Sequence, residues 1–268
     1  MTVYYFALYF FLYGFLGWCT EVIYAAFKEK KFVNRGFLNG PLCPIYGVGV
    51  VVVVYFLDMF RSNLVLLYVT SVILVTTLEW VTGFVMEKLF RHKWWDYSNI
   101  PLNLNGYVCL PFSLIWGVGC VLIVDFIHPA VHSLMVHLPF TLGVVLMVLM
   151  GLALIADIYV TVVGIAKINQ HLDKMEKVAA ELRELAENLG ESLYKGVIEA
   201  LAKKEEVKQK FDVSESVAKR IQELKKNYND LAAKKTYVSG RLMKAFPKMN
   251  SKKYKEAWED LRKRFKSS

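Results

Sequence analysis

Four acidic side chains stand inside long apolar stretches of this sequence: Glu21, Glu79, Glu87 and Asp157. No Lys or Arg lies deep in the same stretches to neutralise them. A charge at the centre of a bilayer costs on the order of 2.5 to 3.5 kcal/mol, so acids there face a protein interior or a wet path and mark ion or substrate routes. Glu79 falls near the middle of its stretch. Glu21 and Glu87 lie roughly one to two turns from an end, where the cost is smaller and an interfacial position is the plain alternative. Each is followed by a segment rich in Asn, Gly and Pro, Asn34-Arg35-Gly36-Phe37-Leu38-Asn39-Gly40-Pro41 and Asn99-Ile100-Pro101-Leu102-Asn103-Leu104-Asn105-Gly106. Asn-Gly and Gly-Pro steps turn tightly, so these segments can fold inward. They would then aim the amino ends of the next helices at a shared inner vestibule, where free N–H groups hold an anion or the glutamates themselves. Equally, Asn39 and Asn105 can cap helices at the membrane surface. Arg35 and Asp96 are the counter-charges between the two segments. Together Glu21, Glu87, Glu79, Asp157, Asn39, Asn105, Arg35 and Asp96 form the candidate substrate or ion pathway.

The elements that must position these groups follow from composition. The 268 residues are 55% apolar and 14% aromatic, with a net charge of +9. Eight basic residues balance eight acidic ones up to Ala166, so the whole excess falls on the last third. Four cysteines in a chain of this length exclude a disulfide scaffold, and the composition excludes collagen and wholly disordered chains. A bilayer core about 30 Å thick needs about 20 helical residues. Five apolar stretches approach or exceed this: 3–27, 43–60, 64–90, 108–127 and 138–165. Within lipid only helices satisfy their own backbone in an open segment. The first stretch lacks a basic leader and contains Gly17, Trp18 and Glu21, so it reads as a span and not as a cleaved signal. Lys28, Lys30, Lys31 and Arg35 mark the first connection, Arg61 alone the second, and Arg91 with Lys93 the third; the fourth carries only His128, His132 and His137. This alternation predicts an outside amino terminus and a cytoplasmic carboxyl terminus.

The expected architecture is all-α and polytopic: a transmembrane domain over residues 1–166, a cytoplasmic helical or coiled-coil segment over 167–247 and a basic amphipathic helix over 248–268. Inside the first, a repeat is visible. Gly17-x-x-x-Glu21 recurs 66 residues later as Gly83-x-x-x-Glu87, and Leu38-Asn39-Gly40-x-x-Cys43 as Leu104-Asn105-Gly106-x-x-Cys109. After a further four residues, Ile45-Tyr46-Gly47-Val48-Gly49 matches Ile115-Trp116-Gly117-Val118-Gly119. The spacing predicts two like-oriented hairpins, 3–60 and 64–127, plus a fifth helix over 138–166, with a site at the repeat interface. The alternative is that the shared motifs only pack helices and make turns.

Other side chains carry weaker signals. Trp94, Trp95 and Tyr97 fit an interfacial belt. Cys43 and Cys109 read as small apolar residues, since no base stands near them in sequence. The three histidines could bind protons or metal, but their spacing beside Pro129 and Pro139 is unspecific; no cofactor is expected. No phosphate-binding loop, zinc-protease motif or serine-hydrolase elbow is present, so any ATP would be used by another subunit. In the tail, one stripe runs Leu172, Met175, Ala179, Leu182, Ala186, Leu189 and Leu193, weakened by Gly190 and Gly196, and a second runs Val217, Ile221, Leu224, Tyr228 and Leu231. Asp212-x-x-Glu215 reads as a capping box opening the second helix. The two helices pair with each other or with a second copy of the chain. A last helix puts Tyr254, Trp258, Leu261 and Phe265 on one face among Lys252, Lys253, Arg262, Lys263 and Arg264, the pattern of a helix on an anionic membrane surface. Beside a bilayer, lipid is the nearer polyanion, and nucleic acid is not expected as a partner.

Gly17-Trp18-x-x-Glu21, Asn34-Arg35-Gly36-Phe37-Leu38-x-Gly40-Pro41-x-Cys43-Pro44-Ile45-Tyr46-Gly47, Trp95-Asp96-Tyr97-Ser98, Asn103-x-Asn105-Gly106 and Trp116-Gly117 as a set resemble the bacterial integral membrane family called putative ABC-transporter type IV, or CmpB-like. The likeness covers about residues 4 to 125, leaving the fifth helix and tail outside. It implies a permease-like role in the bacterial plasma membrane with a separate ATPase subunit and a homodimer as partners, and brings no catalytic residues. Two rival readings remain: a membrane-anchored scaffold or sensor acting through its tail, and an intramembrane enzyme acting on lipid with Glu21 or Glu87 as acid or base. The second lacks a nucleophile or metal set.

Overall fold

The computed structural model describes residues 3–202, 207–233, 237–251 and 253–266. Its elements are nearly all helical and fall into two units, Met1–Ile165 with Tyr237–Asn250, and Ala166–Thr236 with Ser251–Ser268.

In the first unit α1, Val3–Glu29, and α3, Leu64–Phe90, each have 27 residues, enough at 1.5 Å per residue to cross a bilayer. Between them α2 covers Pro44–Leu57 and tightens into a 3-10 turn at Asp58–Phe60. Pro44, preset for a first helical turn, fixes its start after the extended Cys43. The apolar helix Pro44–Phe60 is therefore shorter than the others, and among the described residues four helices are long and apolar enough to cross, one fewer than the five stretches expected. Asn63 opens α3 by accepting a hydrogen bond from the Leu66 N–H at 3.1 Å.

The next span is longer than its sequence suggests. Helix α4, Leu110–Leu122, passes through a π turn at Ile123–Ile127 into α5, His128–Val136, giving a candidate span Leu110–Val136. Pro129 has no N–H for the Asp125 carbonyl one turn back. Arg61 supplies the missing donor, its Nη2 at 3.1 Å from that carbonyl and its Nε at 3.3 Å from the Asp125 carboxylate. The chain thus continues as helix where proline favours a break.

Helix α6 runs unbroken over Phe140–Ala202, so Gly190 and Gly196 do not interrupt it and the domain limit expected at residue 166 falls inside one helix. Only 6% of its most apolar stretch is buried, as a lipid-facing helix requires. It meets α1 where Phe140 packs against Tyr4, with ring centres 5.0 Å apart. Tyr9, Tyr13, Val50 and Val54 form one core between α1 and α2; Val53, Leu57, Leu67, Cys120 and Val124 form another across α2, α3, α4 and the π turn.

Two glycines set how closely the hairpins close. A Cβ on Gly17 would collide with the Tyr46 ring, and one on Gly83 would lie 2.9 Å from the ring of Tyr107. Further along, Gly47 faces Phe10 while Gly117 faces Val72 and Tyr68. The four-residue insertion before Gly117 moves its facing residue about one turn along the antiparallel partner.

Helix α8, Tyr237–Ala245, returns to this unit. The Arg241 guanidinium donates to the Gly36 and Phe37 carbonyls at 2.8 and 2.7 Å. Asn250 exchanges backbone hydrogen bonds with Lys93 at 2.9 and 3.0 Å.

In the second unit, α6 from Ala166 onward and α7, Val207–Ala233, lie antiparallel: His171 bonds to the Leu231 carbonyl at 2.7 Å, and Arg220 to Glu181 at 2.9 Å. Helix α7 begins five residues before the expected capping box, and the side chains of Asp212 and Glu215, like those of Ala186, Leu189 and Leu193, lie outside the described residues. Helix α9, Lys255–Lys266, turns Trp258, Ala257 and Leu261 inward to a core that includes Leu172, Met175 and Leu224.

Candidate functional site

The loop after α1 is drawn over the end of its own hairpin by polar contacts. Trp18 Nε1 donates to Asn34 at 2.8 Å, and Asn34 in turn donates to the Asn39 carbonyl at 2.6 Å. The next two residues then present their N–H groups to α6. Asp157 accepts from the Asn39 backbone at 3.0 Å, the Asn39 carboxamide at 2.8 Å, the Gly40 backbone at 2.6 Å and Thr161 at 3.2 Å. Asn39 also donates to the buried Thr161 hydroxyl at 2.9 Å. Asp157 therefore acts as a fixed acceptor that fastens the first loop to α6.

The second Leu-Asn-Gly does something different. Asn105 and Gly106 take left-handed backbones, with φ of 55° and 70°, and form the tip of a two-stranded ladder, β1 (Asn103–Leu104) with β2 (Val108–Cys109). Asn and Gly tolerate that region, so this turn is the one the dipeptide favours. Asn39 and Gly40 do not enter it. Lys93, buried beneath the loop, donates to Asp96 at 3.0 Å and to the Asn105 carbonyl at 2.8 Å, and its ammonium lies 5.1 Å from the Tyr107 ring centre. Burial pushes the Asp96 carboxyl up, but hydrogen bonds from Ser98 and Lys93 outweigh it and hold it below the ordinary carboxylate range. Asn105 is exposed, 3.4 Å from Trp80 Nε1.

The glutamates make matching contacts. Tyr46 donates to Glu21 at 2.7 Å over Gly17, and Tyr107 to Glu87 at 2.8 Å over Gly83. Arg35 approaches Glu21 at 3.2 Å and stacks 4.7 Å from the Tyr24 ring centre. The counter-charges are thus Arg35 with Glu21 and Lys93 with Asp96, in place of the expected Arg35 and Asp96 pair. Trp116 and Tyr46, matched in the sequence comparison, touch edge-on at 5.9 Å.

Glu79 joins Glu21 through Tyr97. Burial raises the Tyr97 phenol, and Glu79, Cys109 and Glu21 add to the shift while Arg35 opposes it. Tyr97 therefore stays a neutral donor among two carboxylates and one guanidinium. One Glu79 oxygen is buried with no hydrogen-bond partner among the described residues. The structure brings together Glu21 and Arg35, while Asp157 binds the first loop and Asp96 is held by Lys93 and Ser98.

Several expected roles change. Trp94 is buried among Phe37, Phe90 and Phe246, so it is internal and not a belt anchor, whereas half-buried Trp95 donates to the Tyr107 carbonyl at 2.7 Å. Trp258, expected at a membrane surface, is 2% exposed, because its stripe serves the second unit's own core. Of the basic residues around it, Arg264 pairs with Asp260 and Asn229, and Lys253 with Asp173. Lys252 lies outside the described residues. His128 and His132 bond Tyr13 and Tyr9 hydroxyls. Two cavities lie elsewhere, one beside Glu181 and Arg220 and one beside Lys31 and Lys244, and none of the four acids lines either.

Tyr107 and Thr161 escaped the sequence reading, which named Tyr46 only within a shared motif and Tyr97 only as a belt residue. For Tyr46 a signal existed: an aromatic in an antiparallel hairpin opposite a glycine that sits one turn from an acid.

The profile of the family described as putative ABC-transporter type IV matches residues 8–162. The chain belongs to that family. Membership makes it a multi-pass membrane protein of ABC-transporter type, with the lipid bilayer as its surroundings. The matched region extends past residue 125 through α5 and into α6, including Asp157. The fifth apolar helix is therefore part of what defines the family, in keeping with its grip on the first loop. No curated protein and no solved structure matches the chain.

Proposed function

We infer that the protein is the membrane-embedded permease subunit of a transporter, made of two like-oriented hairpins closed by α6; with the short apolar helix Pro44–Phe60 making the second of five crossings, its amino terminus is outside and its carboxyl terminus in the cytoplasm. Family membership supports the transporter class. The chain has no phosphate-binding loop, so a separate ATPase subunit supplies the energy. The observation that carries the reading is Glu79: a carboxylate within a candidate span, with one buried oxygen unpartnered among the described residues. Such an oxygen is an open acceptor for a proton, a cation or an ammonium group. The cluster is closed in this structure, and passage requires the hairpins to separate at the Tyr46 and Trp116 contact.

The test compares the solute profile of cells carrying Glu79→Gln with that of cells lacking the gene, alongside Glu29→Gln at the exposed end of α1. Glu79→Gln reproduces the deletion profile while Glu29→Gln restores the normal one, both chains being inserted at equal levels. A normal profile in Glu79→Gln refutes the reading. One observation favours a scaffold instead, namely that the second unit is closed around its own core of Leu172, Met175, Leu224 and Trp258. In that case Glu79→Gln keeps full function and Trp258→Ala removes it.

A further inference from the structure

A second site lies where the first loop meets α8. Lys31, Phe32, Val33, Asn34, Arg241 and Lys244 line a cavity of about 160 Å³, with no acid in its wall. At ~30 Å³ per water that is room for roughly five waters, or for one phosphate group with part of its hydration. The surrounding charge is one-sided. Arg35 is held by Glu21, but Lys28, Lys30 and Lys31 are opposed on their segment only by Glu29, and Arg241, Lys244 and Lys248 by no acid between Tyr237 and Asn250. Glu29 reaches Lys31 only at 3.6 Å, on side chains exposed enough for water to screen the pair. Lys244 is likewise exposed.

The cavity also lies by the end of a candidate span. It opens just past the end of the candidate span Val3–Glu29, and the rings nearest it in sequence, Phe27 and Phe32, are 83% and 71% exposed. Exposed aromatic rings next to cations at a span's end suit the boundary between acyl chains and headgroups. Basic pockets at that depth are where acidic headgroups bind.

We propose that this cavity binds the phosphate group of an anionic phospholipid, with Lys31 and Lys244 as its ligands and Phe27 and Phe32 against its acyl chains. Arg241 has two N–H groups committed to the Gly36 and Phe37 carbonyls, so it shapes the pocket and adds positive potential without leaving its post. Occupancy then ties the first loop to α8 through a shared anion, independently of whether the protein transports anything.

The experiment is native mass spectrometry of the full chain in mild detergent, with phosphatidylglycerol and phosphatidylcholine offered in equal amounts and inorganic phosphate as competitor. Phosphatidylglycerol is retained at least tenfold over phosphatidylcholine and resists excess inorganic phosphate. Lys31→Gln with Lys244→Gln lowers its retention by about twentyfold, while Lys31→Arg with Lys244→Arg retains it. Equal retention of the two lipids overturns the proposal, as does undiminished phosphatidylglycerol in the Gln double variant. Displacement by inorganic phosphate also overturns it and makes the cavity a site for a free anion. Circular dichroism of both double variants confirms an unchanged fold.

Discussion

Replacing Asp157 with Asn changes one atom of its side chain and tests whether this acid is a fastener. The carboxylate accepts four hydrogen bonds, two of them from the backbone N–H groups of Asn39 and Gly40. An amide keeps one oxygen, which can still serve the Asn39 pair and Thr161, but turns an NH₂ toward the Gly40 N–H now held at 2.6 Å. Two donors then face each other. The loss is one charge-assisted bond, about 1.5 to 3 kcal/mol. If this is realised as easier local opening, exchange of the Gly40 amide hydrogen accelerates roughly 10- to 150-fold. The assay is hydrogen exchange of the full chain in detergent or nanodiscs, read on peptides covering residues 34–43. Peptides from the ladder at 103–109 serve as an internal control, because the hydrogen bonds of Asp157 go to Asn39, Gly40 and Thr161 and not to the ladder. Unchanged exchange at Gly40, or equal acceleration in both loops, would refute the argument that Asp157 specifically secures the first loop.

Three further outcomes follow from the same geometry. Gly17→Ala and Gly83→Ala each lower stability by about 1 to 3 kcal/mol through overpacking against Tyr46 and Tyr107, whereas Gly49→Ala, with nothing within 4 Å, is neutral or slightly stabilising; thermal unfolding in detergent separates them. Asp96 has its folded value below the unfolded one, so its contribution is complete above about pH 3.9 and is lost as pH falls through the lower folded value. Acid titration followed by tryptophan fluorescence shows a flatter acid limb in Asp96→Asn. Arg61→Met leaves the Asp125 carbonyl without its donor at a cost of about 1 to 3 kcal/mol, and combining it with Pro129→Ala recovers part of this, which a double-mutant cycle on unfolding midpoints measures.

Much of this was legible in the sequence because it depends on local pattern. Apolar length alone marks α1, α3 and α6 as membrane helices, and the acids stand out against it. Asn105-Gly106 makes the turn that its residue types favour. What was not legible depends on distant partners. The same Leu-Asn-Gly at residues 38–40 adopts another conformation because Asp157, 118 residues away from Asn39, accepts its N–H groups. The span beginning at Leu110 survives Pro129 because Arg61 comes from another connection. The stripe through Trp258 carries no mark that distinguishes a partner helix from a lipid surface; both reward one apolar face flanked by lysines. Helix α2 is shorter than the stretch expected because Pro44 fixes one end and the turn at Asp58 the other, a difference of a few residues that hydropathy does not resolve.

The return of α8 bears on synthesis. Arg241 and Asn250 complete loops that left the ribosome some two hundred and one hundred and fifty residues earlier, respectively. Until then the ends of α1 and α3 must wait, half-finished, while everything between is translated. Any stop codon introduced after Ala166 to create a tailless version therefore deletes a buckle as well as a tail, and its phenotype would report an unfastened membrane unit instead of a missing appendage.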